Sequence, residues 1–163
     1  MHKKFCTALI LLTFCFVSPA SSTPIPATAK QNLNASQLIT QCEQKSGDNR
    51  FELHHCLLGE FERLQKITDR LTDDLLGMVG KHRSFGRLKI IQWSNAITKS
   101  QSRWQKLVPW DCEWEGHILP TAKGAAVAID RCGVKRAARR VQFLEKRVKA
   151  FNIAIQNDKK KEK

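Results

Sequence analysis

From residue 57 to residue 78 the apolar positions Leu57, Phe61, Leu64, Leu71, Leu75 and Met78, with Thr68 filling the remaining place, recur at alternating steps of four and three. That rhythm keeps the series on one face of a helix and predicts a long amphipathic helix ending near Gly77 and Gly80. A second series, Ile90, Trp93, Ile97, Trp104 and Leu107, has Gln101 in the place between Ile97 and Trp104. It predicts a second helix, and Trp93 and Trp104, sharing its stripe, are expected in the core. A third series, Val134, Ala137, Val141, Leu144, Val148, Phe151 and Ile155, follows a Gly-containing stretch that begins at Pro120. No segment alternates convincingly in the manner of a strand. The expected fold is therefore all-α, a three-helix bundle.

Pro109 interrupts the second series, because it lacks a backbone donor and disfavours helical geometry at Val108. A kink or break is expected there, with Trp110 to Trp114 forming a short continuation or a turn. The chain ends have a different character. His2, Lys3 and Lys4 precede the apolar run Phe5 to Val17 and then Ser18-Pro19-Ala20, the pattern of a cleaved signal peptide over residues 1–20. The run is too short to span a bilayer and no second one of membrane length follows, so no transmembrane segment is expected in the mature chain. Phe14 stands before Cys15 where a lipid-attachment motif wants a small residue, which argues against a lipid anchor. Residues 21–37 read as a flexible linker, 38–156 as the helical domain and 157–163 as a charged tail. Asn34-Ala35-Ser36 matches a glycosylation sequon.

Four cysteines, Cys42, Cys56, Cys112 and Cys132, remain after the leader is set aside. An even count behind an export signal points to two disulfides and a periplasmic or secreted location. The two local pairs are preferred, each contributing about 3 kcal/mol through loop closure, although four cysteines permit crossed pairings as well. His54, His55, Cys56 and Cys42 match no familiar zinc spacing, and no metal or cofactor is expected. Asp111, Glu113 and Glu115 are two apart and do not face one another as a glycosidase pair would. With no nucleophile elbow, phosphate loop or metalloprotease helix, no residue is assigned a catalytic role, and the chain is expected to act by binding.

Charge changes the picture of the partner. Losing Lys3 and Lys4 with the leader lowers the formal charge from +13 to +11. Arg131, Lys135, Arg139, Lys146 and Lys149 share one face of the third helix, away from its apolar stripe, and form a candidate site for an anionic polymer. The ordinary reading of such a row is a solvated face, and no nucleic-acid module accompanies it. Acidic groups gather at Asp69, Asp73 and Asp74 and again at Asp111, Glu113 and Glu115. Trp110 and Trp114, four apart beside Cys112, either pack on the bridge or stay exposed for a partner.

Gln101-Ser102-Arg103-Trp104, then Cys112 eight residues after the Trp, then Cys132, Arg140 and Leu144, behind the early pair Cys42 and Cys56, resembles the LprI-like lysozyme-inhibitor domain. The correspondence covers roughly Cys42 to Leu144. It departs at Leu107-Val108-Pro109, where the family tends to carry an aromatic, an Arg and an Asp, and at Gly124-Ala125-Ala126, a reduced form of a Gly-rich segment. The resemblance implies a small exported helical domain that inhibits lysozyme-type muramidases. Its surface would lie near the Cys112–Cys132 loop, where Trp110, Asp111, Glu113 and Trp114 cluster. The competing expectation is a cell-envelope or host-surface module that holds an anionic polymer on the basic helix face.

Overall fold

The computed structural model describes residues 34–82 and 85–161. The expected leader and the segment 21–33 lie outside them. The described chain is all-helical, but it has four helices rather than three: α1 (Ala35–Ser46), α2 (Arg50–Lys81), α3 (Arg87–His117) and α4 (Ala122–Lys161).

The extra helix, α1, takes in residues 35–37 of the segment read as a linker. The Asn34 side chain accepts from the Ser36 N–H at 3.0 Å, which starts the helix. Gly47, with φ +52°, ends it and returns its N–H to the Glu43 carbonyl at 3.0 Å. Only Ile39, Cys42 and Ser46 are buried along its length, too few apolar positions for the period to stand out. Asn49 then caps α2, accepting from Phe51 N–H at 3.1 Å and Glu52 N–H at 3.3 Å. The cap places the start of α2 at Arg50, two turns before the apolar series begins.

Pro109 does not break α3, which runs through it to His117. The proline points to solvent, while Val108 and Cys112 on either side of it are buried. The packing of those two neighbours outweighs the one backbone hydrogen bond that the proline denies to the Gln105 carbonyl. Likewise the stretch after Pro120 is the opening of α4, begun by the Thr121 hydroxyl accepting from the Gly124 N–H at 3.2 Å. At its other end α4 continues through Lys161, so most of the expected tail is helical.

Most of the core lies where α1, α2 and α4 meet, around Leu57, Leu64, Val134, Ala137 and Val141. A smaller cluster of Val108, Cys112 and Cys132 joins α3 to α4, and Phe61 and Trp104 pack against both. The disulfides are the local pairs: Cys42–Cys56 ties α1 to α2, and Cys112–Cys132 ties α3 to α4. Gly116 makes the second junction close. A Cβ there would stand 2.8 Å from the Ile129 side chain and 3.3 Å from the Ala125 carbonyl oxygen, so only glycine lets the two backbones approach this far.

One expectation about the core fails. Trp93 is 42% exposed rather than buried, and Leu107, from the same series, is 58% exposed. No residue of α3 before Gln101 is buried. The inner face of α3 runs Gln101, Val108, Cys112 and Gly116, and this register, set by α4, leaves Leu107 pointing away.

Candidate functional site

The register that buries Val108, Cys112 and Gly116 necessarily turns the opposite face of α3 outward. That face carries Leu107, Trp110 and Trp114 and continues to Ile118 at the helix end, in steps of three, four and four. Trp110 is 75% exposed, and Trp114 and Ile118 are each 70% exposed. Neither tryptophan packs on the disulfide as a core group would. The bridge acts from the other side of the helix, fixing it to α4 so that the aromatic row stands on a rigid support. Large apolar side chains contiguous on a surface mark interaction sites, and tryptophan is the residue most enriched among energetic anchors.

The charged groups flank the row. At 100° per residue, Asp111 falls on one side of it and Glu113 on the other. Asp111 Oδ2 lies 3.5 Å from Arg136 Nη2, and Glu113 Oε1 lies 3.9 Å from His117 Nε2. Both pairs are well exposed, so each holds its partners loosely and can exchange them at small cost. Beside Leu107 a hollow of about 530 Å³ opens over Trp104 and Val108, with Arg103, Asp111 and Arg136 at its edge. The structure thus brings Trp110, Asp111, Glu113 and Trp114 together and adds Leu107 and Ile118. Leu107 stands in the apolar series that runs from Ile90, which does not mark it as exposed, and Ile118 by itself carries no signal in the sequence.

The basic row divides. Arg131 Nη2 donates to Glu43 Oε1 at 2.6 Å, tying α4 to α1. Lys135, Arg139, Lys146 and Lys149 are exposed, and none has a carboxylate partner among the described residues. The groups weighed for zinc are otherwise engaged: Cys42 and Cys56 form a disulfide, His54 Nδ1 bonds Asp130 Oδ2 at 2.5 Å, and His55 packs edge-on against Phe51. Among the described residues no group of three His, Cys, Asp or Glu is placed to hold a metal ion.

The residues that carry the family resemblance also converge, but on the other side of α3. Gln101 is buried and accepts from Arg140 Nε at 3.2 Å. It donates Nε2 to Thr68 Oγ1 at 3.2 Å and to Asp69 Oδ1 at 3.1 Å, which Gln105 also reaches at 3.0 Å. The Arg140 guanidinium lies 5.8 Å from the Trp104 ring, and burial pushes its pKa below the ordinary arginine value. Gln101, Trp104 and Arg140 therefore join α2, α3 and α4. Their arrangement is a scaffold, and of the three only Trp104 reaches the hollow beside Leu107. The sequence did not reveal that Gln101 meets Thr68 and Asp69, which are distant from it along the chain.

Among the described residues no helix is long and apolar enough to cross a membrane. Compared with protein-family profiles, with curated proteins and with solved structures, the chain finds no match.

Proposed function

We propose that this chain is an exported binding protein that acts through the Leu107, Trp110, Trp114 and Ile118 face of α3, and that its partner is a lysozyme-type muramidase whose cleft this face occludes. The observation that carries the reading is a pair of neighbouring tryptophans, each at least 70% exposed, on a helix held rigid from behind by a disulfide. Covering two such rings contributes about 7.5 kcal/mol of gross apolar burial, taking ~150 Å² from each at ~25 cal/mol/Å². Little of that is lost to ordering, because an indole has only two side-chain torsions and its helix is tied to α4 by a disulfide. Asp111 and Glu113, one on each flank, supply carboxylates for the basic rim of such an enzyme, and the resemblance around Gln101 to Leu144 names the enzyme class. The two disulfides and the expected leader suit a periplasmic or secreted location.

The test is a cell-wall lysis assay in which the oxidised protein is titrated against lysozyme at low and at physiological salt. Saturable inhibition at a one-to-one ratio, persisting in salt, is the expected result. The Trp110→Ala/Trp114→Ala double variant should lose it while unfolding at the same temperature as the parent. Absence of inhibition, or full inhibition by the double variant, refutes the proposal.

A second reading rests on Lys135, Arg139, Lys146 and Lys149, which are exposed without carboxylate partners among the described residues. They would hold an anionic envelope or host-surface polymer. That binding should weaken steeply as salt rises and disappear when all four are changed to Gln, whereas the tryptophan variant should retain it.

A further inference from the structure

On a face of α4 adjoining the basic row, the second half of that helix, the first half of α3 and the end of α2 enclose an open groove of about 440 Å³. That volume falls within the ~300–1,000 Å³ of small-molecule sites. Its floor is apolar, with Leu75, Ile97 and Leu144 beneath three aromatic rings contributed by different elements. Phe85, Trp93 and Phe151 stand 5.5, 5.6 and 6.0 Å apart, centroid to centroid, and His82 stacks on Phe85 at 4.0 Å. Yet Trp93 and Phe143 remain 42% and 43% exposed, so this aromatic surface is gathered but not covered.

The charge at the groove has one sign. Arg140 and Arg147 line it, and none of its lining residues is acidic. Their guanidinium carbons lie 5.3 and 5.1 Å from the centroid of the same ring, Phe143, so two positive charges flank one aromatic group of the groove wall. Arg140 bonds only the neutral acceptors Gln101 Oε1 and Ser100 Oγ, at 3.2 and 3.1 Å, and neither arginine has a carboxylate partner among the described residues. Two guanidinium groups over an apolar floor call for an anion joined to an apolar body.

We propose that the groove binds a single-chain amphiphile whose head is a phosphate monoester. Apart from His82 and Phe85, the walls are helices whose backbone N–H and C=O groups are already paired, so they offer little to the amides of an extended peptide. An acyl or alkyl chain has no amides and loses nothing by lying there. A phosphate monoester carries about −1.5 to −2 charge at neutral pH and matches both arginines, whereas a carboxylate would leave one of them uncompensated. Arginine's planar fork also meets phosphate oxygens bidentately.

The test is calorimetric titration of the disulfide-intact protein at physiological salt with dodecyl phosphate, dodecanoate and the neutral dodecyl maltoside, each below its micellar concentration. One molecule of dodecyl phosphate should bind per chain, at least about tenfold more tightly than dodecanoate, the margin of one charge-assisted hydrogen bond, with the neutral compound weakest. Arg147→Gln should reduce the phosphate affinity about tenfold and leave the neutral one unchanged. Ala96→Trp and Ala150→Trp fill the groove from opposite walls at exposed positions that folding tolerates, and each should abolish binding. Equal affinity for the three compounds, or binding undiminished in both tryptophan variants, overturns the proposal. It is equally overturned by a dimer that Ala150→Trp converts to monomer, which would make the groove a self-contact, or by an amphipathic helical peptide that occupies the groove while dodecyl phosphate does not.

Discussion

Replacing Gln101 by Leu removes three polar contacts from the junction of α2, α3 and α4 while nearly keeping the side-chain volume. The three are unequal. Thr68 is fully buried, but its hydroxyl keeps the Gln65 carbonyl at 2.8 Å, so this loss is one neutral hydrogen bond of about 1 kcal/mol. Asp69 is exposed and retains Gln105, and water takes the vacated place at a cost of roughly 0.5 kcal/mol. Arg140 decides the outcome. Its guanidinium is partly withdrawn from water, and once Gln101 is gone only Ser100 among its hydrogen-bond partners remains. A bond to a charged group at the low end of the usual range adds about 1.5 kcal/mol. The sum is about 3 kcal/mol, from which the greater apolar burial of Leu recovers about 1 kcal/mol. The expected net loss is about 2 kcal/mol, or ~8 °C in Tm for a domain of this size.

The assay is urea unfolding followed by far-UV circular dichroism for Gln101→Leu, Arg140→Met and the double variant, compared at equal m-values. Because the bond between the two side chains can be lost only once, the double variant should fall short of additivity by about 1.5 kcal/mol. A cost below about 0.5 kcal/mol for Gln101→Leu, or additivity within about 0.3 kcal/mol, would show that the junction rests on apolar packing alone.

Removing either disulfide by double Cys→Ala substitution should cost about 3 kcal/mol, since the bridged residues are 14 and 20 apart, and the m-value should rise as the unfolded chain expands. Equal Tm for parent and variant in a thermal scan would contradict this. Gly77→Ala and Gly80→Ala, exposed within α2 with nothing within 4 Å of the added Cβ, should each stabilise by about 0.5–1 kcal/mol. Gly116→Ala should instead destabilise by about 1–3 kcal/mol, because its Cβ meets Ile129 and the Ala125 carbonyl. Chemical denaturation separates the two signs, and stabilisation by Gly116→Ala would mean that α3 and α4 are free to move apart.

The helical class, the approximate course of the three longer helices and the local pairing preference were legible because each depends on residues near one another along the chain. A stripe such as Leu57 to Leu75 declares its helix whatever packs against it. Helix α1 was not legible, because in twelve residues it buries only three, and its caps Asn34 and Gly47 carry more of its definition than any apolar period does. Pro109 left continuation and turn both open, and tertiary packing chose continuation. A local rule against proline in a helix interior was overridden by the burial of Val108 and Cys112, which no local rule contains.

The aromatic site shows the same division. That Trp110 and Trp114 share a side of any helix they occupy follows from their spacing alone. Periodicity gives the angle between two residues but not which neighbour either one meets. Extending the phase of Ile90 placed Trp93 and Leu107 inward, whereas α4 meets α3 along Gln101, Val108, Cys112 and Gly116, turning Leu107 out beside the tryptophans. So the sequence by itself determined the three longer helices, the positive charge and the number of bridges, all properties of composition and short-range spacing. Only the tertiary structure decided that Gln101 meets Arg140, that Arg140 and Arg147 both line the groove beside Phe143, and that Trp110 and Trp114 face solvent. These depend on how helices distant along the chain settle in register, and that register follows from packing the whole core at once.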